Sequence, residues 1–198
     1  MKQKTINLYQ FNELSDDQKQ KVIEKYRDFN DDIFDSYVND ECCTLELFEN
    51  GFLNPTIHYD LSYCQGSGAC FDCNDFDFEL LLKDFECKHK NWIIDILNNY
   101  CECKIYKNSY GYHYSHSKTR YFEINTYGVD RNYREYPRIL EIIRQVDCYI
   151  ENLRYKLSES LTDRLYQELE FLRSDEQIAD ALIANEYYFN AETLEIEN

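Results

Sequence analysis

The stretch PRILEIIRQVDCYIENLRYKLSESLTDRLYQELEFL, residues 137–172, repeats apolar side chains every three or four positions. This spacing matches the period of an α-helix and predicts one helix of about 34 residues, which is long for a globular protein. Its apolar stripe can pack into the core of the chain or pair with a second copy as a coiled coil. A homodimer through the long helix therefore stays open. The stripe comprises Ile139, Ile142, Ile143, Val146, Ile150, Leu153, Leu157, Leu161, Leu165, Leu169 and Leu172.

The segments on either side of this helix predict strands and a second helix. Downstream, Ser174 and Gln177 form a capping box that starts a short helix, and YYFNAETLEIE, residues 187–197, predicts a terminal hairpin. Upstream, three segments alternate polar and apolar side chains, as strands do. They predict an antiparallel meander and are CECKIYK at 101–107, YGYHYSHS at 110–117 and TRYFEINTY at 119–127.

The first half of the chain combines short strands with helices. A strand is expected at residues 5–11, followed by a helix that begins after Ser15, where Ser15 and Gln18 form another capping box. A second helix is expected over residues 34–50, ending at Gly51, and residues 76–100 predict one helix or two short ones. The sequence thus predicts an α+β fold: an antiparallel sheet packed with helices in residues 1–136, then the long helix, short helix and terminal hairpin in 137–198, packed on the same core.

Charge and composition exclude several classes of function. The chain has 198 residues with 38 acidic and 21 basic side chains, a formal net charge of −17. Binding to nucleic acid or to an anionic membrane requires clustered cations, so we expect neither as a direct partner. A basic protein is the natural complement. The sequence shows no export signal or membrane span, which predicts a cytoplasmic protein whose nine cysteines are reduced.

The segment DLSYCQGSGACFDC, residues 60–73, raises the question of a metal or phosphate site. Cys64, Cys70 and Cys73 have C-x5-C-x2-C spacing, but no second pair completes a zinc ligand set. The loop around Gly66 and Gly68 lacks the lysine of a phosphate-binding P-loop. We therefore expect no metal and no cofactor, and the glycines fit a tight turn between strands.

A small-ligand site is the alternative use of this loop. Histidine and arginine can hold a phosphate or carboxylate, and they cluster in YGYHYSHSKTRYFE, residues 110–123. If residues 56–63 and 112–126 form neighbouring strands, the cluster lies near the glycine loop. The candidate ligand-binding residues are Gln65, Gly66, Ser67, Gly68, Phe71, His113, His116 and Arg120.

Four segments in order resemble a family of small proteins from bacteriophages, prophages and other bacterial mobile elements. The segments are YQFNELSDDQKQKVIEKYRD (9–28), SYCQGSGACF (62–71), HYSHSKTRYFEI (113–124) and FLRSDEQIADALIANEYYFNAET (171–193). Members of that family are often labelled antitoxins of a toxin–antitoxin stability system. Cys64 and Cys70 stand where the family usually has serine, which implies positions for small side chains rather than metal ligands. Ser67 stands where aspartate is usual, so the resemblance supplies no carboxylate at the loop tip.

No ordered set of nucleophile, base and orienting group can be assigned, so catalysis is the minority interpretation. We expect an acidic interaction protein of phage or mobile-element origin that blocks a host nucleic-acid-handling complex, as an anti-CRISPR or other anti-defence inhibitor does. The alternatives are a nucleotide-binding protein or enzyme using the glycine loop, and an antitoxin that neutralises a toxin. The carboxylates expected to bind the partner are Asp31, Asp32, Asp35, Asp40, Glu41, Asp72, Asp75, Asp77 and Glu79.

Overall fold

The computed structural model describes residues 7–38, 41–107, 114–129 and 136–197, and the side chains of Glu41 and Cys42 lie outside the described part. The fold is α+β, as the sequence predicts. Its helices are α1 (Asp16–Lys25), α2 (Asp31–Val38), α3 (Glu41–Glu49), α4 (Phe78–Leu81), α5 (Lys90–Tyr100), α6 (Tyr136–Leu172) and α7 (Asp175–Ala184). Its strands are β1 (Leu8–Gln10), β2 (Phe52–Leu53), β3 (Thr56–Asp60), β4 (Gly68–Asp72), β5 (Asp75–Phe76), β6 (Glu102–Lys107), β7 (Arg120–Asn125), β8 (Tyr188–Asn190) and β9 (Ile196–Glu197).

The predicted long helix is α6, and most of its apolar stripe is buried within the chain. Val146, Ile150 and Leu165 have no exposed surface, and the other stripe residues are buried or partly buried. The stripe therefore packs into the core of the described chain.

The chain divides into two compact units, residues 1–36 with 167–198 and residues 37–166. This division differs from the boundary expected at 136/137, because the N-terminal helix groups with the C-terminal segment. Residues far apart in sequence pair there: β1 lies antiparallel to β8, which also pairs with β9. Local sequence patterns carry no information on such a pairing.

The smaller unit has a core of its own, and its two helices begin at the predicted capping residues Ser15 and Ser174. The Ser15 amide donates to the Gln18 side chain at the start of α1, and the Ser174 hydroxyl accepts from the Gln177 amide at the start of α7. The buried faces of both helices meet the sheet at Phe189, whose ring contacts Phe11 and Tyr26 edge-on. The terminal hairpin predicted from the sequence is formed by β8 and β9, and β8 is the central strand of this unit's sheet.

The larger unit holds three small antiparallel pairs, β2 with β5, β3 with β4 and β6 with β7. A single bridge, Cys73 opposite Ile105, joins the β3–β4 and β6–β7 regions. The core between these pairs and α6 contains Phe52, Phe71, Leu82 and Ile105, all of them almost fully buried.

Two expectations for this region are changed by the described residues. In the predicted meander, β6 pairs directly with β7, and residues 117–119 form a 3-10 turn. The His116 ring accepts a hydrogen bond from the Lys118 amide and so caps that turn. Residues 108–113, and His113 with them, lie outside the described part. Where one helix was expected over residues 34–50, the structure describes α2 and α3, and residues 39 and 40 lie outside the described part.

Candidate functional site

The glycine loop, residues 61–67, connects β3 to β4 and is held by its own side chains. The Asp60 carboxylate accepts from the amide and the hydroxyl of Ser62, and these hydrogen bonds hold the pKa of Asp60 below its ordinary value. The Cys64 amide donates to the Ser67 hydroxyl at 2.8 Å, and the Ser67 amide donates back to the Cys64 carbonyl at 3.0 Å. The loop therefore has a defined conformation.

The two glycines let residues 114–116 approach this loop closely. A Cβ on Gly66 would collide with the ring of Tyr114, and one on Gly68 would lie 2.9 Å from the Cβ of His116. Gly68 also has φ +152°, a backbone conformation that favours glycine. The amide of the next residue, Ala69, donates to the Thr162 hydroxyl of α6 at 2.8 Å. The structure thus brings the glycine loop and His116 together.

Arg120, at the start of β7, is only 3% exposed. Its guanidinium forms an ion pair with Asp72, and the second carboxylate oxygen of Asp72 lies 2.8 Å from His58 Nε2. A buried arginine needs such a partner, because an unpaired buried charge is costly. Arg120 was expected to hold a ligand and Asp72 to face a partner, but each already binds the other.

A second buried arginine, Arg154, was missed by the sequence analysis. It is 1% exposed and donates to both carboxylate oxygens of Glu151 and to the carbonyl of Ser117 at 2.8 Å. Glu151 also accepts from the Phe122 amide, so this pair fastens α6 to β7 and to the 3-10 turn. Arg154 sits between Ile150 and Leu157 on the apolar stripe of α6. The sequence could have indicated this buried arginine, because Arg154 is a charged residue at a position of the apolar stripe.

Two further residues of the motif belong to the core. Phe71 is fully buried and its ring contacts Phe52 edge-on at 5.1 Å. Cys70 is also fully buried, and burial raises the pKa of its thiol. Neither side chain can reach a ligand on the surface. Gln65 and Ser67, in contrast, lie in the loop, where Gln65 is exposed.

Cys64 is the chemically distinctive cysteine of the described chain. Its thiol is exposed and accepts from the Ser67 hydroxyl at 3.4 Å and from the amide of Gly66, and the Ser62 hydroxyl, which can donate either to Asp60 or to Cys64, also lies 3.4 Å away. These donors stabilise the thiolate and lower the pKa of Cys64. Cys73 and Cys103 differ, because burial raises the pKa of their thiols to about 11 and about 12.

Alkylation of Cys64 by iodoacetamide is therefore expected to become fast below the ordinary thiol pKa of 9.0. A lowered pKa means that more thiolate is present at any pH beneath that value. Mass spectrometry of the Cys64 peptide over a pH series gives the midpoint. The Ser62→Ala/Ser67→Ala variant should move the midpoint upward, and an unchanged midpoint in that variant would contradict the assignment of the two hydroxyls.

The acidic residues proposed for partner binding divide into structural and exposed groups. Asp31 forms an ion pair with Arg173 at 2.6 Å, and Asp77 caps α4 by accepting from the amides of Glu79 and Leu80. The exposed carboxylates are Asp32, Asp35, Asp75 and Glu79, of which Asp75 accepts a hydrogen bond from Asn54 at 3.3 Å. Asp40 and the side chain of Glu41 lie outside the described residues.

In residues 7–38, 41–107, 114–129 and 136–197, no three side chains of His, Cys, Asp or Glu are grouped to hold a metal ion. No helix of that part is both long and apolar enough to span a bilayer. Comparison with protein-family models, with curated proteins and with solved structures gives no match.

Proposed function

We propose that this chain is an acidic interaction protein that binds and inhibits a basic host protein. One observation carries the proposal: residues 28–82 contain 13 aspartates and glutamates and no lysine or arginine. Six of these carboxylates have exposed side chains: Asp28, Asp32, Asp35, Glu49, Asp75 and Glu79. Exposed carboxylates with no lysine or arginine near them in the sequence attract a cationic partner and repel nucleic acid.

The partner class follows from this charge. A cationic groove that normally holds DNA or RNA is the protein surface most complementary to clustered carboxylates. Together with the resemblance to a phage and mobile-element family, this supports an anti-defence role in the host cytoplasm, such as inhibition of a CRISPR complex. The antitoxin role would use the same acidity on a toxin.

The nucleotide-binding alternative depended on Arg120 as its strongest ligand for an anion. Arginine binds phosphate through an accessible guanidinium, and Arg120 is buried against Asp72. A nucleotide would meet Asp60 and the loop hydroxyls instead. A rise in melting temperature with added nucleotide would favour this alternative, because a ligand that binds the folded state stabilises it.

Charge reversal tests the interaction proposal. Asp32→Lys/Asp35→Lys and Asp75→Lys/Glu79→Lys are expected to weaken capture of a basic host protein about tenfold. Asp84→Lys/Glu86→Lys is the matched control, since it makes the same change in net charge at exposed positions beside Lys83 and Lys88. Affinity capture from host extract with quantitative mass spectrometry measures the effect. Equal loss in all three variants would contradict binding through these carboxylates.

A further inference from the structure

The exposed surface of the glycine loop is aromatic. Tyr63 is 66% exposed and its ring lies 5.0 Å from the ring of Tyr166 on α6. Tyr114, 45% exposed, lies against Gly66 of the same loop. We call Tyr63, Tyr114 and Tyr166 the tyrosine face. Exposed tyrosines grouped on one surface are typical of binding sites, because they offer contact area at low entropic cost.

Tyr63 occupies an unfavourable backbone conformation to hold this position. Its φ is +56°, in the left-handed region that glycine and asparagine adopt readily and other residues rarely do. Burial of the ring does not compensate, since two thirds of the residue is exposed. Strained residues of this kind cluster where a surface binds something.

The loop beneath the face is fixed before any partner arrives. The Ala69 amide donates to Thr162, one helical turn before Tyr166, and Ser67 accepts from the Cys64 amide. A preformed surface loses little entropy on binding. Tyr63 therefore presents its ring in one orientation.

Charge around the face selects a cation. Asp60 begins the loop, and hydrogen bonds from Ser62 keep its pKa low. Asp163 is exposed and lies three positions before Tyr166, so the two are neighbours on the helix surface. The loop lies within the segment 28–82 that has no lysine or arginine. Aromatic rings bordered by carboxylates bind arginine and lysine side chains through cation–π and ionic contacts.

We propose that the tyrosine face, with Asp60 and Asp163, docks an arginine-containing segment of the protein partner, with a guanidinium stacked on Tyr63 or Tyr166. This proposal rests on the proposed function, since it names the surface through which the basic partner is held. Phosphate-bearing ligands do not fit this face, because Arg120 is buried and paired with Asp72.

The probe is the ten-residue peptide (Arg-Gly)5, titrated into the full chain by calorimetry at low salt. Tyr63→Ala and Tyr166→Ala are each expected to weaken its binding by about two- to fivefold, the loss that a cation–π contact implies. Tyr63→Phe keeps the ring and should bind like the wild type. Tyr127→Ala is the matched control, because Tyr127 is 83% exposed and outside the face.

Tyr63→Gly separates binding from folding. Glycine accepts φ +56° without strain, so the melting temperature should stay at or above the wild-type value while peptide affinity falls as in Tyr63→Ala. Unchanged affinity in all tyrosine variants would overturn the tyrosine face and leave the proposed function intact. A wild-type chain that binds no (Arg-Gly)5 at low salt would overturn both.

Discussion

Arg120→Met is expected to lower the free energy of unfolding by about 2–3 kcal/mol, which is below the range for a fully buried pair because Asp72 is partly exposed. Arg120 is 4% exposed in its side chain and Asp72 is 33% exposed. Removing the guanidinium leaves Asp72 with His58 as its remaining side-chain partner. Urea unfolding monitored by circular dichroism measures the change.

Lys104→Met is the matched control for this substitution. Lys104 pairs with Glu123 at 3.3 Å on the same β6–β7 hairpin, but both side chains are nearly half exposed. Such a surface pair contributes about 0.2–1 kcal/mol. Equal effects of the two substitutions would show that Arg120 is no more buried in solution than Lys104, and would reopen Arg120 as a ligand-binding residue.

Gly51→Ala is expected to lower the free energy of unfolding by about 3 kcal/mol or more, from backbone strain and steric overlap together. Gly51 has φ +86°, and a Cβ there would lie 2.5 Å from the Asp77 carbonyl oxygen and 2.8 Å from the Leu81 amide nitrogen. Both contacts are with backbone atoms, one at the residue that caps α4 and one at the last residue of that helix. The Gly51 carbonyl also accepts from the Asp77 amide, so the strand cannot shift away without losing that bond.

Gly66→Ala provides the comparison, because the group that it meets is a side chain. The Tyr114 ring is 45% exposed and can rotate out of the way. We expect a loss of about 1 kcal/mol or less there. A smaller loss for Gly51→Ala than for Gly66→Ala would contradict the close approach of residues 51 and 77.

The features predicted well from the sequence are those set by neighbouring residues. The capping boxes at Ser15 and Ser174 and the stripe of α6 depend on spacings of three or four positions, which a sequence displays directly. The sequence analysis ended one strand at Ser117 and began the next at Thr119, whereas residues 117–119 together form a 3-10 turn.

The candidate site was predicted only in part, because its chemistry depends on contacts between distant positions. The sequence placed the glycine loop near His116 on the condition that two strands were neighbours, and Gly68 does meet His116. It did not show that Arg120 pairs with Asp72, 48 residues away, and so treated both as surface groups. Tyr63 drew no attention as a contact residue, because its positive φ is a property of the folded loop alone.

The central claim is that surface carboxylates hold a basic host protein, and a salt series of the affinity capture tests it most directly. Exposed charges are screened within about 10 Å at 0.1 M salt and within about 3 Å at 1 M. We predict that one basic, nucleic-acid-binding host protein is retained at about 0.05 M salt and released well before 1 M, with Asp32→Lys/Asp35→Lys releasing it at lower salt than Asp84→Lys/Glu86→Lys. Capture of no basic protein at low salt, or retention that does not change with salt, would contradict the account.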